Sequence, residues 1–363
     1  MIGPRRRTMA GPLLRPRRDP RERPRPALPD LLLVLALLGA PAAAPARPPI
    51  IDMHLHARRA SYDGSGAPAI CAPPPAMPHW DNQRPLDSGL GEPACADPLP
   101  PARTADQILR ETIGIMERRN IIAMVSGEPA DVAAWRAAAP ERVIAGLDLR
   151  ISPRPAGSPL PARSPDEVGA LHSAGAFEVL GEVMAQYEGI APADPRLEAY
   201  WALAEARGIP VGIHLGPGGP GTPYGGGPRY RARDSSALGL EEVLVRHPRL
   251  RVYVMHAGYP LIDDLLALLY AHPQVYVDVS ALVATEPRPA FYLYLRRIVE
   301  AGFGERVMFG TDQGIWPELI EAAIRSIEQA PFLSEAQRRA IFYDNAARFL
   351  RFTPEQIARH HAM

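Results

Sequence analysis

The chain has 363 residues, and all forty of its basic side chains are arginine, since the sequence contains no lysine. Schiff-base chemistry, a phosphate-loop lysine of the G-x-x-x-x-G-K-[ST] kind and a lysine carbamate bridging two metals are therefore excluded. Forty acidic residues give a formal net charge of zero, but nine of the arginines lie in residues 1–46 beside only Asp19, Glu22 and Asp30.

That N-terminal stretch passes from arginine-rich to apolar (31–38) and then to small residues (39–46), with Ala-x-Ala at 42–44 and 44–46. A basic region, a short apolar region and a small-residue cleavage zone form a secretory signal, and eight apolar residues are too few to span a bilayer. Export to the periplasm or beyond is expected, with cytoplasmic residence the outcome if the segment does not work as a signal. Its removal leaves 31 arginines against 37 acidic residues, so the mature chain is mildly acidic. Nucleic acid, held through cationic contacts to phosphate, is then not an expected partner. A small-molecule substrate and no stable membrane span are, and the sequence leaves a homo-oligomer open.

From residue 47 on, short β-branched runs alternate with amphipathic stretches. Strands are predicted at 50–54, 121–126, 142–149, 177–183, 210–215, 251–257, 274–280 and 306–311. Helices are predicted at 105–119, 130–138, 165–174, 195–207, 236–246, 261–271, 290–301 and 317–329, with cap residues such as Thr104, Ser164 and Asp194 at their starts. Eight such pairs in one 47–363 domain predict an α/β fold, a (β/α)8 TIM barrel, with an extra C-terminal helix over 335–350 behind Ser334. Two connections are long: the proline-rich insertion 57–103 and the glycine-rich GPGGPGTPYGGGP of 216–228. Both follow strands, which places them as long βα loops on the C-terminal face, where barrel active sites lie. Cys71 and Cys95 share the first of these, either as one disulfide or as two free thiols.

Side chains able to bind metal gather at the predicted strand ends. Strand one ends in His54-x-His56, strand four in Glu182, strand five in His214, strand six in His256 and strand eight in Asp312. In a barrel these ends meet at one mouth. His247 and His272 end helices before prolines and belong to the opposite rim, while His79, His172, His360 and His361 read as surface residues. Arg150, Tyr187, Tyr224 and Arg229, with Arg231, Arg233 and Trp316, follow strands and are candidate substrate contacts, the arginines through a bidentate grip on a carboxylate.

The order His-x-His, Glu, His, His, Asp, together with the closing NAARFL of 345–350, resembles the amidohydrolase superfamily of metal-dependent hydrolases, specifically its amidohydrolase-related branch. The resemblance covers about residues 49–350. It implies a divalent metal, zinc or manganese, held by His54, His56 and Asp312, and a second held by His214 and His256. Glu182 stands where a subset including the TatD-type hydrolases uses a bridging glutamate. Asp312 and His256 are the catalytic residues implied, Asp312 taking a proton from water and His256 polarising the substrate carbonyl of an amide, ester or lactone. The GEVMAQYEG that follows strand four departs from the TatD-type continuation, so their nucleic-acid substrate is not carried over. Other members are one-metal decarboxylases in which the strand-six histidine is free; here Glu182 would only hydrogen-bond a ligand histidine. A barrel that binds without catalysing is the third alternative.

Overall fold

In a computed structural model of the chain, residues 47–59, 61–64, 66–86, 95–151 and 162–363 are described, with Gly11 by itself. Apart from that glycine, the proposed signal of 1–46 lies outside them. Pro45–Met363 clusters as one compact unit.

Eight parallel strands run in chain order through one sheet. They are β1 Ile50–His56, β2 Ile121–Ser126, β3 Val143–Leu149, β4 Val179–Val183, β5 Val211–His214, β6 Val252–Met255, β7 Tyr276–Asp278 and β8 Val307–Met308. Met53 N–H donates to Phe309 O at 2.9 Å and Asp312 N–H to His54 O at 2.8 Å, which brings β8 back against β1 and nearly closes the barrel. Parallel neighbours need a crossover, and seven helices supply it: Ala105–Arg119, Pro129–Ala138, Pro165–Ser173, Glu198–Arg207, Glu241–Arg246, Ile262–Ala271 and Arg288–Ile298, with Leu319–Glu328 following the last strand. Their starts follow from the sequence. Thr104 Oγ1 accepts from Gln107 N–H, and Ser164 and Glu167 form a reciprocal capping box ahead of Pro165.

The strands divide two apolar cores. Val125, Ala145, Leu147, Val211, Val254 and Val277 face the helices in the larger one. Ile51, Met53, Ile122, Met124, Val179, Tyr253, Met255 and Met308 fill the barrel, closed below by Tyr343, Ala346 and Phe349. Each fully buried aliphatic side chain contributes about 1.5–3 kcal/mol, so the lower barrel is held by packing, and the polar residues are left to the upper end.

Differences from the predicted elements lie at ends and connections. β7 and β8 are shorter than their apolar runs, and 236–246 is divided between a 3-10 turn at Ala237–Leu240 and the helix Glu241–Arg246. The glycine-rich loop contains one helical turn, Thr222–Gly225. The C-terminal helix continues from Glu335 through a π-type segment, Ala340–Asp344, to Leu350. A further helix, Pro354–Ala362, was not predicted although Thr353 and Gln356 form its capping box. Cys71 and Cys95 are joined in a disulfide, which resolves the choice between bond and free thiols. The insertion folds against itself and the barrel: Ile70 pairs with Leu99, Ala102 N–H donates to Ile315 O at 2.8 Å and Trp316 Nε1–H to Pro68 O at 3.1 Å. Among the described residues no helix is long and apolar enough to cross a membrane.

Candidate metal centre

Two register shifts aim the site. Asp52 pairs with Ala123, but Leu55 with Val125, so β1 carries one extra residue there. This bulge moves the inward face from Ile51 and Met53 to His54 and His56. The same occurs on β4, where Leu180 and Val183 flank the extra residue against β5 and Glu182 turns into the barrel. On β6 the change is made by backbone conformation: His256 (φ 58°) and Ala257 (φ 47°) are left-handed without being glycine, an arrangement that strands and their sequels rarely adopt.

The five strand ends bring all six predicted donors together. His54 Nε2 and His56 Nε2 lie 3.1 Å apart, and His256 Nε2 and His214 Nδ1 2.9 Å apart. Glu182 sits among the four rings. One oxygen bonds His214 Nδ1 in a short contact, and its oxygens lie 3.8 Å from His54 Nε2, 3.5 Å from His56 Nε2 and 3.6 Å from His256 Nε2. Asp312 Oδ1 is 3.4 Å from His56 Nε2, and its side chain, 29 % exposed, is the most open of the set. Two groups have donor atoms close enough to hold an ion: His54, Glu182 and His256, and His54, His56 and Asp312. Each pair of imidazole nitrogens facing one another at about 3 Å can share one proton at most, whereas zinc takes nitrogen and carboxylate oxygen together at about 2.0–2.2 Å. The donor chemistry and its crowding therefore fit a divalent cation.

Electrostatics follows from enclosure of carboxylates with imidazoles. Burial opposes charge on His54, but Asp312, Asp278 and Glu182 raise it well above the ordinary histidine range. Against the same burial, Asp148 and Asp312 lift His56 to about 9. Asp312 is held at about 2 by His54 and His56 although burial works the other way, and Glu182 is likewise pulled well below the usual range by His214. Among the four histidines His214 alone is lowered, by burial and by the nearby His256, against the pull of Glu182.

Several contributors were not predicted. Asp148 on β3 lies 3.7 Å from His56 Nδ1, and Ser126 Oγ at the end of β2 is 3.1 Å from the same atom. Asp278 and Ser280 stand behind His54 and His256 from β7 and its end. Asp52 accepts from His54 N–H and from Thr311, and burial pushes its carboxyl up to about 7. The Gln313 amide pairs with both backbone groups of His56. A carboxylate within an otherwise apolar strand, as in GLDLR or VYVDVS, is the signal that marks Asp148 and Asp278.

The candidate substrate contacts separate. Tyr187 stacks 4.6 Å from the His214 ring, and burial pushes its hydroxyl far above the usual range. Arg150 is buried beside Met184 and 3.8 Å from Glu188. Tyr224, by contrast, is 72 % exposed and rests on Trp80, and Arg229 is exposed, so neither joins the centre. Arg231 bonds its own loop through Pro228 O and Tyr230 O, and Arg233 is exposed beside Asp234. Trp316 is half-buried under the insertion. His247 and His272 do sit at helix ends, paired with Glu198 and Glu241. His360, read as a surface residue, is instead buried, with its Nδ1 2.9 Å from Tyr343 Oη. The reason is the last helix, which folds under the barrel. His172 is half-buried against Phe177.

The family model described as Amidohydrolase matches residues 51–352, and no curated protein matches in sequence. Solved structures share the fold at low identity. A probable 2-pyrone-4,6-dicarboxylic acid hydrolase from Acinetobacter baumannii with citric acid bound is 15 % identical, with a TM-score of 0.52 over 84 % of this chain and 99 % of that one. An amidohydrolase from Burkholderia multivorans with bound zinc is 14 % identical, with a TM-score of 0.51 over 84 % and 100 %. The 5-carboxyvanillate decarboxylase of Sphingomonas paucimobilis is 17 % identical, with a TM-score of 0.50 over 66 % and 82 %.

Proposed function

The chain belongs to the amidohydrolase family, and on that premise we propose that it is a metal-dependent hydrolase of a small amide, ester or lactone. The observation that carries this reading is Glu182, whose carboxylate lies within 3.8 Å of a ring nitrogen of His54, His56, His214 and His256. With no lysine in the chain, Glu182 is the group able to bridge two cations, as in TatD-type hydrolases. His54, His56 and Asp312 would hold one cation, and His214 and His256 the other, zinc in preference to manganese given two imidazole nitrogens for each. A divalent cation bound there supplies Lewis acidity and makes water nucleophilic near neutral pH.

The chain's own residues then divide the work. Asp312, ionised at neutral pH and partly open to the mouth, takes the proton from the attacking water and passes it to the leaving group. His256 holds the second cation, or polarises the carbonyl directly where a single cation is bound. Tyr187 and Arg150 are assigned to the substrate side, Tyr187 as a wall and Arg150 for a substrate carboxylate; Tyr224 and Arg229 stay with the outer loop. The negative charge that develops on the carbonyl oxygen in the transition state is stabilised by positive charge placed in advance, the largest contribution in such sites.

A second reading is a one-cation decarboxylase, favoured by the direct bond from Glu182 to His214, which would leave Glu182 outside coordination. Metal content and turnover of the purified protein separate the two. About two equivalents, falling in Glu182→Ala, with hydrolysis of an ester, lactone or amide, support the hydrolase. One equivalent unchanged in Glu182→Ala, with release of carbon dioxide from an aromatic acid, replaces it. No turnover on either panel leaves a binding barrel. We also assign the protein to an oxidising compartment: the Cys71–Cys95 disulfide agrees with export by the N-terminal segment, and the N-terminal residue of the mature protein tests it.

A further inference from the structure

Three strands carry no predicted metal ligand: β2, β3 and β7. The last of these sends its inward face, Asp278 and Ser280, directly behind the metal centre, and the hydrogen atoms there can be counted. Asp278 Oδ1 accepts from His256 N–H at 3.0 Å, from Ser280 N–H at 3.0 Å and from Ser280 Oγ–H at 2.5 Å. A serine hydroxyl has one proton, and here Asp278, acceptor only when ionised, takes it. Ser280 Oγ is left with lone pairs alone. Two ring nitrogens meet that oxygen, His54 Nδ1 at 2.8 Å and His256 Nδ1 at 3.0 Å. His256 Nδ1 also faces Ser280 O at 3.1 Å, and His54 Nδ1 faces Asp278 Oδ2 at 3.5 Å. Every partner of both Nδ1 atoms is an acceptor.

From this we infer that Asp278 and Ser280 are positioning residues that lock His54 and His256 in the Nδ1–H tautomer, so that both present a bare Nε2 to the centre. A neutral imidazole carries its proton on one nitrogen, and the hydrogen bond at one nitrogen decides the lone pair at the other. Asp278 Oδ1 does a second thing, since its bond to His256 N–H holds the residue whose φ is 58°. Gly310 leaves room for the pair: a Cβ there would stand 3.2 Å from Ser280 Cβ, 3.3 Å from Asp278 Cγ and 3.3 Å from His54 Cβ. Ser126 repeats the device for His56, donating to Leu55 O and facing His56 Nδ1 with its lone pairs. His214 is the exception, turned so that Nδ1 faces the other donors.

The inference rests on the metal-dependent reading above. It is tested by zinc affinity, measured by competition with a chelator, in the wild-type chain, Ser280→Ala and Asp278→Asn. In Ser280→Ala both rings lose their acceptor. In Asp278→Asn the carboxamide oxygen must keep facing the two backbone N–H groups, which turns its NH2 toward His54 Nδ1 and favours the wrong tautomer. Both are expected to bind zinc 10–100-fold more weakly, Asp278→Asn without loss of thermal midpoint in the chelator-treated protein because it is isosteric. Long-range 1H–15N spectra of histidine-labelled, zinc-loaded wild-type protein should show a proton on Nδ1 and none on Nε2 for both His54 and His256, which needs no variant to fold. Unchanged zinc affinity in both variants, or an Nε2–H for either ring in the wild type, overturns the inference. A wild type that binds no divalent cation overturns the metal-dependent reading itself, and this one with it.

Discussion

At the scale of residues, the site depends on a few atoms whose removal has separable effects. Asp312→Asn keeps an oxygen able to bind metal but loses the proton acceptor, so turnover should fall about 10²–10⁴-fold while metal analysis still finds a bound cation. Gly216 makes a different point. A Cβ at this position would collide with His256 Cβ and stand 3.1 Å from its ring. Gly216→Ala is therefore expected to displace His256 and weaken zinc binding, at a stability cost of about 1–3 kcal/mol, read by chelator competition beside a thermal melt. Retention of full affinity would show that the ring has room to shift. The six candidate donors were legible in the sequence because each stands at or just past a predicted strand end, and strand ends in a barrel converge on one mouth. Asp278, Ser280 and Asp148 were not, because their partners lie on other strands and the sequence does not state which strand end faces which.

Among the elements, the bulges on β1 and β4 and the last helix carry most of the information. Strict alternation along IIDMHLH cannot direct Ile51, Met53, His54 and His56 all inward, and one extra residue resolves it. The helix Pro354–Ala362 depends on its cap and on His360. Thr353→Ala should cost about 1 kcal/mol, seen as faster amide exchange confined to that helix. Burial holds His360 below the ordinary value of 6.5, aided by Arg359 and His361. For a base with a lowered folded value the unfolded chain binds the proton more readily, so the contribution is complete above 6.5 and is lost as pH falls below it. Protection factors in Pro354–Ala362, corrected for the pH dependence of intrinsic exchange, are expected to fall as pH drops below 6.5, and His360→Phe, unable to take the proton, to remove that dependence. The helix escaped the sequence reading since a short polar stretch with a cap and no apolar face shows its place only when packed against Tyr343 and Phe352.

Over the whole molecule, the alternation of eight strands with eight helices determined the barrel, because a parallel sheet built from short crossovers has few other ways to cover both faces. The insertion is tied to that barrel by Ala102 and Trp316, and its disulfide spans 24 residues. Reduction should lower stability by up to about 3.5 kcal/mol on the chain-entropy relation, visible as a drop of a few degrees in the thermal midpoint; an unchanged midpoint would mean that the insertion unfolds independently of the barrel. On the two-cation reading proposed above, the missing lysine also acts at this scale, since it leaves Glu182 as the bridging group. What the sequence by itself determined was periodicity, strand order and the candidate donors at strand ends, all properties of near neighbours along the chain. Only the tertiary structure decided the pairing of Cys71 with Cys95, the inward turn of Glu182 and the hydroxyl shared by His54 and His256. Each of these requires residues far apart in sequence to meet within hydrogen-bond or covalent distance, and closure of the barrel is what brings them there.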